Sequence, residues 1–332
     1  MQNKQILVLG GAGYIGSHVV ERLYNKKYKI IILDNLYSGH IKAVEYLKDR
    51  VVIGDINREN LEKINKKFGK IDGIIHLAGY IEVGESMINP SKYVSNNITV
   101  PTEILDFMKD ANIKSFVFSS SAAVYGNKDK EIKENTQKNP INMYGLTKSV
   151  FEDILYFYDS IFGIKSISLR YFNASGASHF KNIGENHLNE THLIPLILKT
   201  ALGQRDAINI YGDDYDTPDG TCIRDYIHVD DLAEAHVLAI DNLIEHRESH
   251  IFNLGVGEGY SVKKILDLSK EITGIDIPSK IMPRRSGDPA FLVANSELIQ
   301  KEFGWRAQYD IKDIIETAWN WYKNNPEGFS SI

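Results

Sequence analysis

Tyr144 and Lys148 stand four residues apart in Tyr-Gly-Leu-Thr-Lys, a spacing that puts both side chains on one face of a helix. A phenol titrating near pH ~10 is a poor base at neutrality, and a nearby cation favours its phenolate. The pair therefore offers proton transfer from a hydroxyl group. The same pair is common on helix surfaces, so its company decides its meaning. Residues 9–16 read Leu-Gly-Gly-Ala-Gly-Tyr-Ile-Gly, with Gly10, Gly13 and Gly16 at every third position and Gly11 also satisfying Gly-x-Gly-x-x-Gly. Between a strand and a helix, such small residues let a pyrophosphate reach the helix N-terminus. Asp34 follows roughly 20 residues on, where a carboxylate accepts from an adenosine ribose and repels a 2′-phosphate, which favours NAD over NADP. Asp55 suits an adenine contact or, equally, a helix N-cap. A dinucleotide beside an acid–base tyrosine means hydride chemistry at a carbinol.

The elements that must position these groups alternate in a βαβ rhythm. Strands are expected at Gln5 to Leu9, Lys29 to Asp34, Arg50 to Gly54, Gly73 to Leu77, Ser115 to Ser119 and Lys165 to Tyr171. Amphipathic segments lie between them: one from Ser17, one through Leu61 and Ile64, one after Pro90 carrying Ile98, Leu105 and Met108, and one bearing Tyr144 and Lys148. The fold class is α/β, a Rossmann-type doubly wound parallel sheet. After Asn173 the pattern loosens into loops with turn signals at Gly176, Gly184 and 212–220. The expected division is 1–173 for the dinucleotide domain and 174–332 for a smaller substrate domain. It is partly interleaved, because about 225–242 reads as a strand end and an Asp-capped apolar helix that packs back on the first domain.

Composition narrows the class. The 332 residues are 25% charged with a net charge of -6, and no basic run is dense enough to track a phosphate backbone, so nucleic acid is not an expected partner. No apolar stretch approaches the roughly 20 residues of a membrane span. The single Cys222 forms no intrachain disulfide, and the N-terminus lacks the regions of a signal peptide, which points to the cytoplasm. No histidine and carboxylate set is spaced as metal ligands, so no metal is expected. His76 and His228 sit in apolar strands and read as packed core; Phe151, Tyr158 and Phe162 read as core or as a dimer seam.

Together with Ser119-Ser120-Ser121 and Tyr125-Gly126, these motifs resemble the extended short-chain dehydrogenase/reductase family, and within it the branch that epimerises UDP-hexoses at C4. Gly13 to His18, Val83-Gly84-Glu85-Ser86, Tyr171-Phe172-Asn173, Arg224 to Val229 and Arg284-Arg285-x-Gly287-Asp288 carry the resemblance in order over nearly the whole chain. It implies a tightly held NAD that takes the C4 hydride of UDP-glucose or UDP-galactose while the Tyr144 phenolate removes the O4 proton. Lys148 supports the phenolate and Ser121 positions O4; the 4-keto sugar then turns and is reduced on its other face.

It further implies cofactor contacts from Gly10, Gly13, Tyr14, Ile15, Gly16, Asp34, Asn35, Ser38, Gly39, Asp55, Ile56, Leu77, Ala78, Gly79, Asn96, Ser121, Tyr144, Lys148 and Phe172. Substrate contacts fall to Ser121, Tyr144, Asn173, His192, Leu193, Asn209, Ile210, Tyr211, Arg224, Tyr226, Arg285, Asp288 and Phe291, with Arg224 and Arg285 clamping the diphosphate. A homodimer built through two helices of each Rossmann domain is implied as well.

Dehydratases of this family carry an Asp-Glu pair where this chain has Ala122 and Ala123. Departures from the better-known epimerases are Leu9, Tyr80-Ile81 and Ala123. Phe291, large where the family gates the C2 substituent, favours plain hexoses over N-acetylated ones. A 4-epimerase of another UDP-sugar (N-acetylhexosamine, pentose or uronic acid) and a non-catalytic NAD-binding sensor or scaffold remain as alternatives.

Overall fold

The apolar runs that open the chain are buried along their length, as strands covered on both faces must be. The computed structural model describes residues 4–128, 131–285 and 289–329. Its first six strands are β1 (Gln5–Leu9), β2 (Lys29–Asp34), β3 (Val51–Ile53), β4 (Gly73–His76), β5 (Ser115–Ser121) and β6 (Lys165–Tyr171). With His250–Leu254 at the edge they form a seven-stranded sheet in the order His250–Leu254, β6, β5, β4, β1, β2, β3. The pairings of β1 with β2 and β4, of β2 with β3, and of β4 with β5 are all parallel. The order reverses between β1 and β4, the crevice where doubly wound sheets take ligands at the carboxyl ends of their strands.

Helices α1 (Tyr14–Asn25), α2 (Arg58–Phe68), α3 (Val83–Ile88), α4 (Pro90–Val94), α5 (Val100–Asp110) and α6 (Met143–Phe162) accompany these strands. Alternate strand residues Leu7, Leu9, Ile31, Leu33, Phe116 and Phe118 share one core with Leu61 and Ile64 of α2, Leu105 and Met108 of α5, and Phe151 and Leu155 of α6. The segment expected as one helix after Pro90 is interrupted: Ser95–Thr99 forms a π-helical turn between α4 and α5. Such insertions re-aim side chains and concentrate at functional sites.

The chain divides into two compact units. The first comprises Met1–Gly126, Gln137–Arg170 and Ala233–Phe252; the second comprises Asn127–Thr136, Tyr171–Leu232 and Asn253–Ile332. In the second, Ile223–His228 pairs antiparallel with Gly259–Ser261 and parallel with both Phe291–Leu292 and Asn173–Ser175. Ile208–Tyr211 and Ser279–Met282 form a separate parallel pair. Helices Leu193–Ala201, Val262–Thr273 and Ile311–Asn324 close a core of Ile194, Ile197, Leu198, Ile208, Ile265, Leu268, Ile314, Ile315 and Trp321. The last of these helices opens on a reciprocal capping box between Asp310 and Asp313, which satisfies donors that a helix start leaves open.

Candidate active site

The glycine turn joins β1 to α1. Gly10 has φ +79°, a conformation that L-residues rarely adopt, and a Cβ there would lie 2.6 Å from the Ala78 nitrogen. Gly13 is different: an added Cβ would meet only the Gly10 carbonyl at 3.4 Å. Packing within the chain does not explain that glycine, whereas close approach by a phosphate does. No side chain caps α1 at Gly13, and Tyr14, Ile15 and Gly16 form its first turn, whose amides suit an anion.

Asp34 ends β2. Its Oδ2 accepts from the Ala12 amide at 2.9 Å and its Oδ1 from the Leu36 amide at 2.8 Å. Burial pushes its pKa up and these two bonds pull it back. Asn35 donates to Asp55 at 2.8 Å, Ile56 packs against the core below, and Ser38 and Gly39 lie on the loop after β2. After β4, the Leu77 and Ala78 amides both donate to the Leu9 carbonyl, at 2.9 and 3.1 Å, which holds this turn and Gly79 against the glycine turn. These positions, drawn from the ends of β1, β2, β3 and β4, suit a dinucleotide: a glycine cradle without internal cause, an uncapped helix start and an anchored carboxylate.

Ser121, Tyr144 and Lys148, the residues expected to handle the proton, sit at the end of β5 and in the first two turns of α6. Asn142 caps α6 through a bond from the Gly145 amide at 2.8 Å. Any side chain at Gly145 would collide with the Ala123 carbonyl, so glycine there lets the helix start lie against the turn that follows Ser121. Tyr144 is buried, and hydrogen bonding from the Ser121 side chain acts to lower its pKa; the Ser121 hydroxyl accepts from the Ala123 amide at 3.2 Å. The Lys148 ammonium donates to the Ser119 carbonyl at 2.8 Å and lies 5.8 Å from the centre of the Tyr144 ring. Burial lowers its pKa to about 8, with Glu152 acting in the opposite direction.

The phenol departs from the sequence expectation. Burial raises its pKa, and only the Ser121 bond pulls it down. The ammonium is turned to a backbone carbonyl instead of the phenol.

In the second unit, the Asn173 side chain donates to the Asp225 carbonyl at 2.7 Å. Arg224 donates to the carbonyls of Ile223 and Pro289, both at 2.7 Å, and Phe291 pairs with Ile223 on the adjacent strand. The Arg285 guanidinium lies 4.0 Å from the centre of the Tyr211 ring; hydrogen bonds from Arg285 and then Asn209 lower the Tyr211 pKa. Arg284 instead pairs with Asp214 at 2.6 Å. Ile210 and Tyr226 are buried in the core, His192 precedes Leu193 at the start of a helix, and Phe172 is buried after β6. Asp288 lies outside the described residues.

The family model described as the NAD dependent epimerase/dehydratase family matches residues 6–255. This chain belongs to that family. A UDP-glucose 4-epimerase of Lactobacillus helveticus is 47% identical over 98% of this chain and 99% of its own length. Among solved structures, UDP-glucose 4-epimerase from Brucella ovis in complex with NAD superposes with a TM-score of 0.92 at 42% identity, covering 96% of this chain and 98% of that one. The enzyme from Bifidobacterium longum in complex with NAD+ and UDP gives 0.92 at 38% identity, covering 98% and 100%.

Within this member of the epimerase/dehydratase family, two groups of supporting residues escaped the sequence reading. Asn97, in the π-helical turn, accepts from the Tyr80 amide and donates to the Tyr80 carbonyl, both at 3.0 Å; its neighbour Asn96 donates to it at 3.0 Å. It thereby pins the segment after Gly79. Glu152, four residues beyond Lys148 on α6, takes a two-pronged ion pair from buried Arg170 at 2.8 and 2.6 Å, and the Ser120 hydroxyl at 2.6 Å. Arg170 also donates to the Tyr125 hydroxyl at 2.7 Å. The continued spacing Tyr-x-x-x-Lys-x-x-x-Glu was the available signal for Glu152. Nothing in the sequence distinguishes Asn97 from Asn96.

Proposed function

We propose that this chain interconverts UDP-glucose and UDP-galactose, with Ser121, Tyr144 and Lys148 as its catalytic residues. The observation that carries the reading is their arrangement: Ser121 at a strand end, buried Tyr144 in the first turn of the helix Met143–Phe162, and a buried ammonium on the next helical turn, 5.8 Å from the Tyr144 ring. Full-length relatives named as UDP-glucose 4-epimerases support it. NAD is the cofactor, and its bound form supplies a reversible two-electron acceptor for the hydrogen at C4. The glycine turn, Asp34, Asn35, Asp55, Ala78, Gly79 and Lys148 would hold it.

Tyr144 accepts the O4 proton as C4 is oxidised, and Ser121 holds the same oxygen. With a pKa of about 8, Lys148 is charged at neutral pH, and its ammonium, 5.8 Å from the Tyr144 ring, would stabilise a phenolate on turning from the Ser119 carbonyl toward it. Ala122 and Ala123 offer no second acid or base, so a 4-keto sugar formed here returns to the alcohol instead of losing water. Reduction on the opposite face inverts the centre without net redox change. Arg285 with Tyr211, and Arg224, would take the UDP moiety in the second unit, and the first unit would carry the dinucleotide.

A homodimer fits the surface of the first unit. Tyr156, Phe157 and Ile161 of α6 and Met87 and Ile88 at the end of α3 are all exposed, an apolar share that a second copy would cover. Phe151, by contrast, is core, and Tyr158 donates to Asp106 at 3.0 Å. No helix among the described residues is long and apolar enough to cross a membrane, and a lone cysteine accords with the cytoplasm.

The test is incubation of the purified chain with UDP-galactose and no added coenzyme. UDP-glucose should form; its absence from protein that carries NAD refutes the reading. Slow or absent turnover of UDP-N-acetylglucosamine is expected from Phe291, and comparable rates would refute that part.

A further inference from the structure

The loop before the helix Leu193–Ala201 reads Glu-Asn-His-Leu-Asn-Glu-Thr-His over residues 185–192. Its turns bring Glu185, His187, Glu190 and His192 together, one donor atom from each lying within 4.8 Å of the others. Glu185 Oε1 is 3.2 Å from His187 Nδ1 and 2.5 Å from His192 Nδ1. The Glu190 carboxylate reaches His187 Nδ1 at 3.7 Å and His192 Nδ1 at 3.5 Å. The carboxylates of Glu185 and Glu190 are 3% and 4% exposed. Glu190 Oε2 is buried without a hydrogen-bond partner, a costly state for a carboxylate oxygen.

We propose that Glu185, His187, Glu190 and His192 bind a divalent transition-metal ion, with Zn²⁺ the best match. Bonds of about 2.0–2.2 Å from zinc to imidazole nitrogen and carboxylate oxygen set tetrahedral edges of roughly 3.3–3.6 Å; the separations of 3.2, 3.5 and 3.7 Å lie at that spacing, and the 2.5 Å contact of Glu185 with His192 would open by about 1 Å around the ion. Two imidazoles and two carboxylates neutralise a dication, and the ion would give Glu190 Oε2, now only 3.7 Å from His187 Nδ1, a bonded partner. The outer shell is in place: Glu190 Oε1 accepts from the amides of Thr191 and His192 at 2.8 and 2.9 Å. The Glu185 carbonyl accepts from Trp321 Nε1 at 3.0 Å.

No member of this set belongs to the Ser121–Tyr144–Lys148 trio. The ion's role is a clip that fastens the loop to the start of the helix at Leu193 and, through Trp321, to the helix Ile311–Asn324. Ligation through Nδ1 leaves the other ring nitrogen of His192 for the nucleotide contact expected of it. A reading by spacing misses the set because Glu-x-His-x-x-Glu-x-His places its donors together only through the turns of this loop.

The test uses the full chain with its NAD, stripped of metal by a chelator and titrated with Zn²⁺ by calorimetry and with Co²⁺ as an optical probe. One ion per chain is expected, with the visible bands of four-coordinate Co²⁺ displaced by Zn²⁺. Glu190→Gln and His187→Gln should each weaken binding by more than the roughly 10–100-fold that loss of an outer-shell partner costs, with bound NAD and near-ultraviolet dichroism checking the fold. X-ray absorption at the zinc edge of the unmutated protein should count two imidazole nitrogens, so a variant that fails to fold leaves the question decidable. Absence of stoichiometric binding overturns the proposal and leaves an ion-pair cluster. So does affinity unchanged in folded variants, or a zinc shell without imidazole.

Discussion

Replacing Lys148 by Met keeps the length of the side chain and removes a charge that the fold holds at a cost. Burial lowers the ammonium's pKa from 10.5 to about 8, and at about 1.4 kcal/mol per pH unit the penalty is about 3 kcal/mol. Because the folded value lies below the unfolded one, the unfolded chain keeps the extra proton between about pH 8 and 10.5, and stability climbs with pH across that window. The penalty is complete below about pH 8 and gone above 10.5. Lys148→Met escapes it at every pH but leaves the Ser119 carbonyl without its 2.8 Å donor, a loss of about 1–3 kcal/mol.

At pH 7 the variant should therefore be as stable as the parent or up to about 2 kcal/mol more stable. Its advantage over the parent should shrink by about 3 kcal/mol by pH 10.5, while epimerase activity is largely lost. Urea denaturation of both proteins in nucleotide-free form, from pH 7 to 10.5, measures the difference directly; bound NAD would add its own linkage. A stability difference that stays flat across the window, or a parent that loses ground as pH rises, would refute the account of this lysine.

Tyr144→Phe should lower kcat by about 10²–10⁴-fold and retain NAD, and near-normal turnover would remove the phenol from the mechanism. Glu152→Gln leaves the Arg170 guanidinium buried without its carboxylate, so a loss of about 3–5 kcal/mol is expected by urea titration; a loss below about 1 kcal/mol would mean the pair is not sequestered. Gly10→Ala combines a left-handed backbone with a Cβ 2.6 Å from the Ala78 nitrogen, and the purified protein should carry little NAD by its absorbance ratio. Full occupancy would show that the turn relaxes freely.

Features fixed by local chemistry were legible in the sequence. The apolar runs are strands because only both-face burial accommodates them, and the glycine triplet, Asp34 and the Tyr144/Lys148 spacing each name their own place on that frame. What the sequence hid depends on segments far apart in the chain. The Tyr144 phenol is raised because burial outweighs its bond to Ser121, and Lys148 turns to Ser119 on a strand 29 residues earlier. The π-helical turn that buries Asn97 reads Ser-Asn-Asn-Ile-Thr, residue types that do not separate an inserted residue from an ordinary helical turn. Arg284 and Arg285 are adjacent and alike in residue type, so only the family resemblance separates them in the sequence; one meets Asp214 and the other Tyr211.

The first unit is stitched from three stretches of chain, ending at Phe252, and its sheet ends on the edge strand His250–Leu254. On the ribosome, the first unit therefore waits for most of the message to be translated before its outer strand exists. Until then the flank of β6 stays open to misplaced partners. Chains truncated after Asn173 would share that exposed flank, so gene fusions, split reporters and shortened crystallisation targets should retain everything through Leu254.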